Sequence, residues 1–259
     1  VLVTRPPGSW PALSRRFAGS GIDIEMGATT AHVEPLDPRP GDAALARLAT
    51  YGWIVVTSGQ GVKALTLKLA AREAPFPPRV LWAAVGPATA RALAGTGLTV
   101  ELTADDPRGE GLARALVPRI TGKDRVLVVR PEGTPHALLA AALRATGAHV
   151  DEAPLYRTVP SADASRLARA AVAGRYGAIV WTAPSTLTLW LAASDDDAPG
   201  LRAALAAVRR VAIGPTTAAA LAAEGLPADE VAEGPEVVQI GDAILRAAAN
   251  MPPPRGGTT

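Results

Sequence analysis

The sequence predicts a doubly wound α/β protein whose architecture is built twice. Short apolar runs alternate with segments whose apolar residues recur at helical spacing. Most of these runs are continuous, as in VLV, WIVV and VLVV, which suits parallel strands covered on both faces. The chain also repeats itself. Val1-Leu2-Val3-Thr4-Arg5-Pro6 returns as Val126-Leu127-Val128-Val129-Arg130-Pro131, and Ile54-Val55-Val56-Thr57 returns as Ile179-Val180-Trp181-Thr182. Gly86-Pro87-Ala88-Thr89 returns as Gly214-Pro215-Thr216-Thr217, so order and spacing both hold along the chain.

Each element of the first copy follows from its residues. VLVT at residues 1–4 is a strand. The segment 9–21 is a helix, with Trp10, Leu13 and Phe17 on one face, Ser9 as its cap, Pro11 in its first turn and glycines closing it. IDIEM (22–26) is a strand and DAALARLA (42–49) a helix. WIVVT (53–57) is a strand, VKALTLKLA (62–70) a helix and RVLWAAV (79–85) a strand. A helix from Pro87 to Ala94, the strand LTVEL (98–102) and a helix near Gly111–Leu116 complete the copy, and the second copy repeats the order.

Bulk properties narrow the function classes. The 259 residues suffice for two domains, and 48% apolar content supports a substantial core. No apolar run reaches the roughly 18 residues of a membrane span, so no membrane partner is expected. The opening VLVTRPPG is strand-like and lacks a secretion-signal layout; without a Met, it reads as a chain trimmed by a few residues. The absence of cysteine excludes disulfides, thiolate metal sites and cysteine nucleophiles, and fits a cytoplasmic protein. With 26 basic and 24 acidic residues the net charge of +2 argues against nucleic acid, so an anionic ligand must be held by local groups. The tail, residues 251–259, reads as frayed.

Two domain divisions are compatible with the repeat. One cuts between residues 125 and 126. The other uses two similar extended segments, 31–37 and 152–160, as connectors along which the chain leaves one domain, builds a second and returns. Periodicity does not choose between them.

Ligands of open α/β sheets bind beyond the carboxyl ends of the strands, so the loops there carry the functional argument. They are Arg5–Gly8, Thr57–Gly61, Gly86–Thr89, Arg130–Gly133, Thr182–Thr186 and Gly214–Thr217. Hydroxyls and glycines followed by helix starts expose backbone N–H groups and a positive dipole end, which suit carboxylates or phosphates. Each Ser or Thr there also suits an ordinary helix cap. Arg5 and Arg130 end equivalent strands and suit either substrate carboxylates or salt bridges. Tyr156 sits in the second connector, where its phenol suits a proton donor or interdomain packing. His32, His136 and His149 lack metal-ligand spacing and read as solvated or capping, and Asp195-Asp196-Asp197 reads as solvated surface. No nucleotide-binding glycine fingerprint and no GxSxG elbow is present.

Together VLVTRP (1–6), YGWIVVTSGQGV (51–62), AAVGPATARAL (83–93), RVLVVRPEG (125–133), LRATGAHVDEAPLYRTVP (143–160), IVWTAPSTLTLWL (179–191) and VAIGPTTAAALAAEGL (211–226) resemble the uroporphyrinogen-III synthase family over nearly the whole chain. The resemblance implies two flavodoxin-like domains joined by a two-stranded connector. Residues 1–31 with 161–250 would form one domain and 37–152 the other, with 32–36 and 153–160 as connectors. It implies a cyclising hydro-lyase of tetrapyrrole and heme biosynthesis, a monomer needing neither metal nor organic cofactor. The substrate would be hydroxymethylbilane, a linear tetrapyrrole with eight carboxylates, bound in the cleft between domains and closed to uroporphyrinogen III with inversion of the terminal ring.

On this resemblance Tyr156 falls on the tyrosine proposed to assist loss of the substrate hydroxyl. Thr57 and Ser58 fall on a TS motif that follows a strand, and Thr216 and Thr217 on GPTT. Arg5, Gly86, Thr89, Arg130, Thr182 and Ser185 complete the expected substrate contacts. Gln60 stands where the family often has Asn, and Ala183 where a Ser commonly follows the strand threonine. The rival expectations are a two-domain binding or sensor protein that clamps a polyanion without transforming it, and a regulatory protein on the same fold.

Overall fold

The computed structural model describes residues 1–133, 137–194 and 200–250. His136, Asp195-Asp196-Asp197 and the tail 251–259 lie outside the described residues. Strand β1 (Leu2–Val3), helix α1 (Pro11–Phe17) and strand β2 (Glu25–Met26) open the chain. Then come β3 (Thr30–Val33), α2 (Arg39–Ala46), β4 (Trp53–Val56), α3 (Gly59–Ala70), β5 (Leu81–Ala84) and α4 (Pro87–Ala94). They are followed by β6 (Leu102–Thr103), α5 (Gly109–Leu116), β7 (Arg125–Pro131), α6 (Ala137–Ala145), β8 (His149–Pro160) and α7 (Ala164–Val172). The chain continues with β9 (Ala178–Trp181), α8 (Pro184–Ser194), α9 (Leu201–Ala207), β10 (Arg209–Ala212), α10 (Pro215–Ala223), β11 (Glu230–Val231) and α11 (Val237–Ala249).

These elements form two compact units. Unit 1 comprises residues 1–31 and 159 onward, and unit 2 is His32–Thr158. In unit 1 a five-stranded parallel sheet runs β2-β1-β9-β10-β11. Counted from β1, this is the 2-1-3-4-5 order of flavodoxin-like sheets. In unit 2 a six-stranded sheet runs β3-β8-β7-β4-β5-β6. Counted from β7 it has the same order, with β3 added outside β8. Each sheet therefore mixes the two sequence copies. The opening strands of the first copy, β1 and β2, align with β9–β11 of the second, while β4–β6 of the first align with β7 and β8 of the second.

Both sheets are covered on two faces, because alternate residues of each strand point to opposite sides. In unit 1 Leu2, Ile179 and Trp181 pack with Leu167, Leu187, Trp190 and Leu205, whereas Val3, Val180 and Val211 pack with Leu13, Phe17, Ile240 and Ile244. In unit 2 Ile54, Val56, Leu127 and Val129 meet Leu45, Leu65 and Leu93, and Trp53, Val55, Val126 and Val128 meet Leu112, Leu116, Leu139 and Leu143. This explains why β4 and β9 read as unbroken apolar runs: all their residues are buried.

Three local expectations change. The strand expected over 22–26 pairs only at Glu25–Met26, and the one expected over 98–102 pairs at Leu102–Thr103. Both are edge strands with a single neighbour, and short edges are the usual outcome there. Ser9 does not cap α1. Its Oγ donates to the Pro6 carbonyl at 2.6 Å within the preceding turn, and Trp10 occupies the cap position without a side-chain hydrogen bond. Among the described residues no helix is long and apolar enough to cross a membrane.

Candidate functional site

In a 2-1-3-4-5 sheet the strand order reverses beside the first strand, and the loops on either side of that reversal diverge to leave a crevice at the carboxyl edge. In unit 2 the reversal lies between β7 and β4. It brings together the end of β7, where Arg130, expected in a loop, is still paired in the strand, and the loop after β4, with Thr57 and Ser58.

Tyr156 reaches this point because β8 is irregular. The β7–β8 register pairs Arg130 with Pro154 and then Pro131 with Tyr156, so one extra residue, Leu155, is accommodated on β8. A bulge of this kind bends the strand and re-aims the side chains beside it. Leu155 and Tyr156 are consequently both buried, at 1% and 7% exposure, although neighbours in a regular strand would face opposite sides. Helix α2 packs directly on the bulge: a Cβ on Gly41 would lie 2.9 Å from Leu155 Cδ2 and 3.0 Å from the Pro154 carbonyl oxygen.

The Tyr156 hydroxyl meets Ser58 Oγ at 2.8 Å. Ser58 is the N-cap of α3, where its Oγ also accepts from the Gly61 N–H at 2.9 Å. The phenol therefore lies beside the positive end of a twelve-residue helix. The His32 ring, carried by β3, stands edge-on to the Tyr156 ring with centroids 5.4 Å apart, and its Nδ1 lies 3.3 Å from Thr158 Oγ1. Burial raises the Tyr156 pKa above the ordinary value, opposed in part by the hydrogen bond with Ser58. Burial and the nearby Lys63 charge lower that of His32, which favours the neutral imidazole.

The remaining expected residues of unit 2 line the same edge in different states. Thr57 Oγ1 donates to the Val129 carbonyl at 3.1 Å, tying the ends of β4 and β7 together. Arg130 is engaged by Glu152 at 2.7 Å and donates to the Pro131 carbonyl at 2.9 Å; Glu152 also pairs with Arg144. Gly86 is the N-cap of α4 and is buried, and a Cβ there would lie 2.8 Å from Pro107 Cβ. Thr89, three positions on, is buried.

In unit 1 the reversal lies between β1 and β9. Thr4 Oγ1 donates to the Val180 carbonyl at 3.0 Å and accepts from the Thr182 N–H at 3.1 Å, while Thr182 Oγ1 donates to the Thr4 carbonyl at 2.8 Å. Arg5 lies over the Trp10 ring at 4.4 Å, and burial lowers its pKa. Among the described residues no carboxylate pairs with Arg5. Ser185 is half-buried in the first turn of α8. Thr216 is exposed and Thr217 buried in the first turn of α10, which Gly214 caps. Thr217 and Thr89 thus hold equivalent places three residues after a Gly N-cap.

Thr4 and Glu132 lie outside the expected site residues, and His32, expected to be solvated or capping, is exposed yet stands edge-on to Tyr156; all three owe their places to partners 96 to 178 residues away. The one local trace was the doublet Leu155-Tyr156, two large side chains in a row within a strand. Ser58→Ala is expected to lower stability by about 1 kcal/mol through loss of the cap, and to lower turnover by removing the phenol's partner. Thermal denaturation and initial rates check both.

Known proteins share this fold. The family described as uroporphyrinogen-III synthase HemD matches residues 11–240. A curated uroporphyrinogen-III synthase of Synechococcus elongatus is 27% identical over 160 residues, which are 61% of this chain and 60% of that protein. The match thus spans about three-fifths of that relative's length. The fold resembles a mutant uroporphyrinogen III synthase of the extremely thermophilic bacterium Thermus thermophilus, with a TM-score of 0.67 and 22% identity over 96% of this chain and 98% of that one. It also resembles the uroporphyrinogen-III synthetase of Helicobacter pylori, with a TM-score of 0.58 and 16% identity over 95% and 97% of the two chains. With the family match covering most of its length and two flavodoxin-ordered sheets carrying its loops, this chain belongs to the uroporphyrinogen-III synthase family.

Proposed function

We propose that the chain cyclises hydroxymethylbilane to uroporphyrinogen III, with Tyr156 as the acid that assists departure of the substrate hydroxyl. The observation that carries this reading is the 2.8 Å contact between the Tyr156 phenol and Ser58 Oγ at the strand-order reversal of unit 2. With Ser58 donating to the phenolic oxygen, the phenol proton is left for the substrate. The hydroxyl then leaves as water, and the pyrrole that carried it, at the opposite end from the ring that inverts, becomes an azafulvenium electrophile. Ser58 and the start of α3 stabilise the phenolate that forms. The substituted carbon of the last ring attacks, and the spiro intermediate fragments and recloses inverted. The proton released on rearomatisation restores the phenol.

The substrate is a flexible polyacid whose spontaneous closure proceeds without inversion, so conformation decides the product. Thr57, Ser58, Gly86, Thr89 and Arg130 in unit 2, and Arg5, Thr182, Ser185, Thr216 and Thr217 in unit 1, mark the loops that would hold its carboxylates. Because Thr89 and Thr217 are buried, the backbone N–H groups of their helix starts are the better donors there. Residues 32–36 and 153–160 act as the connectors between the two units. Supplying hydroxymethylbilane and separating the oxidised products by chromatography tests the reading. Isomer III in excess is expected. Isomer I at the uncatalysed rate would leave a protein that binds a polyanion without transforming it.

A further inference from the structure

Glu132 links the two strands that hold Tyr156 and His32, and this inference rests on the acid role given to Tyr156 above. Its backbone N–H donates to the Tyr156 carbonyl at 2.7 Å, directly after the β8 bulge. Its carboxylate turns the other way and accepts from the Leu36 N–H at 2.9 and 3.1 Å and from the Asp37 N–H at 3.3 Å. Those two residues follow β3, the strand that sets His32 edge-on to the Tyr156 ring. Arg157 Nε adds a parallel tie to the Glu34 carbonyl at 3.1 Å. A carboxylate receiving adjacent backbone N–H groups makes a charge-assisted contact of defined direction. One residue thereby fixes the bulge from one side and the segment after β3 from the other. Among the described hydrogen bonds Glu132 makes none to the phenol or to Ser58, so what it does for the chemistry passes through the placement of Tyr156.

We propose that Glu132 is a positioning residue for the cyclisation, holding the bulge and the post-β3 segment so that the Tyr156 phenol stays aimed at Ser58 and the departing hydroxyl. The cost of misplacing a reacting group by about 1 Å reaches roughly 10²-fold in rate, so loss of a clamp one residue removed is expected to cost about tenfold. The test compares initial rates of isomer III formation from hydroxymethylbilane by the full chain and by Glu132→Ala, Glu132→Gln and Glu132→Asp, each also combined with Tyr156→Phe.

Glu132→Ala is expected to lower kcat about tenfold with KM within about twofold. Glu132→Gln keeps an acceptor oxygen at the same reach and should recover to within about threefold of the parent. Glu132→Asp is shorter by one methylene and should behave like Ala; it reads the same effect if the Ala variant does not fold. In the Tyr156→Phe background each change should alter kcat by less than about twofold, since an effect passing through the phenol has already been lost. Parental kcat in both Ala and Asp variants overturns the proposal. So does a Gln variant as slow as Ala, or an Ala effect that multiplies in full with Tyr156→Phe. Unaltered kcat in Tyr156→Phe alone overturns instead the acid role on which the proposal rests.

Discussion

On the proposed acid role, Tyr156→Phe is expected to lower kcat for isomer III formation by about 10²-fold or more, within the range of 10²–10⁴ that a positioned general acid contributes, and to leave the protein folded. The substitution removes one oxygen from a side chain that is 7% exposed. The ring keeps its place in the bulge, its edge contact with His32 and its neighbour Leu155. Ser58 loses the phenol but retains the Gly61 N–H, so α3 stays capped. The lost hydrogen bond accounts for about 1 kcal/mol of stability, a shift of a few degrees in Tm at most. KM should change little, because Tyr156 is not among the residues proposed to hold the substrate carboxylates. Unchanged kcat would remove Tyr156 from the acid role.

The pH profile offers an independent check. The acid must be protonated to act, and burial holds the phenol pKa above its usual value of about 10. The proton is therefore present throughout the neutral range and is lost only as pH rises through the raised folded value. An alkaline decline in kcat below pH about 9 would have to come from another group. Stability follows the same sign. The unfolded chain ionises Tyr156 first, so the folded state loses stability as pH climbs past about 10 and gains nothing from acidification.

Trp190→Ala destabilises unit 1 by about 3–5 kcal/mol, the range for deleting a buried aromatic. Trp190 is fully buried in α8, its ring lies 5.6 Å from that of Trp181, and its Nε1 donates to the Ala164 carbonyl at 2.8 Å. The deletion leaves a cavity between α7, α8 and the end of β9, and removes the hydrogen bond that fixes α7 against α8. Trp181, whose ring borders the space, directly precedes Thr182 at the strand-order reversal. Urea denaturation followed by circular dichroism measures the loss. A change below about 1 kcal/mol would mean that Trp190 packs less closely on Trp181 and Ala164 than the 5.6 Å ring distance and the 2.8 Å hydrogen bond indicate.

Fold class was legible because burial on two faces writes itself as continuous apolar runs. The Gly-Pro pairs at 86–87 and 214–215 marked helix starts for a local reason as well, since Pro suits the first turn and the extended Gly its cap. The site was legible only as a set of loops. Ser58 was chosen by its motif and proves to be a cap that touches Tyr156, but Arg130 is committed to Glu152 and Arg5 to the face of Trp10. Whether a loop residue faces ligand, helix or neighbouring side chain depends on contacts far away in sequence.

The sequence by itself determined that there are two copies of one strand–helix pattern, which continuous apolar runs are central strands, and where most of the carboxyl-edge loops fall. Only the tertiary structure decided that the copies exchange halves, β1 and β2 joining β9–β11 while β4–β6 join β7 and β8. It alone placed Leu155 as the extra residue that turns Tyr156 toward Ser58. The physical reason is that an apolar run encodes burial and period, not the identity of its neighbour. Equivalent strands of a repeat are interchangeable by that measure, and the choice between them rests on chain connection and long-range hydrogen bonding that no local pattern records.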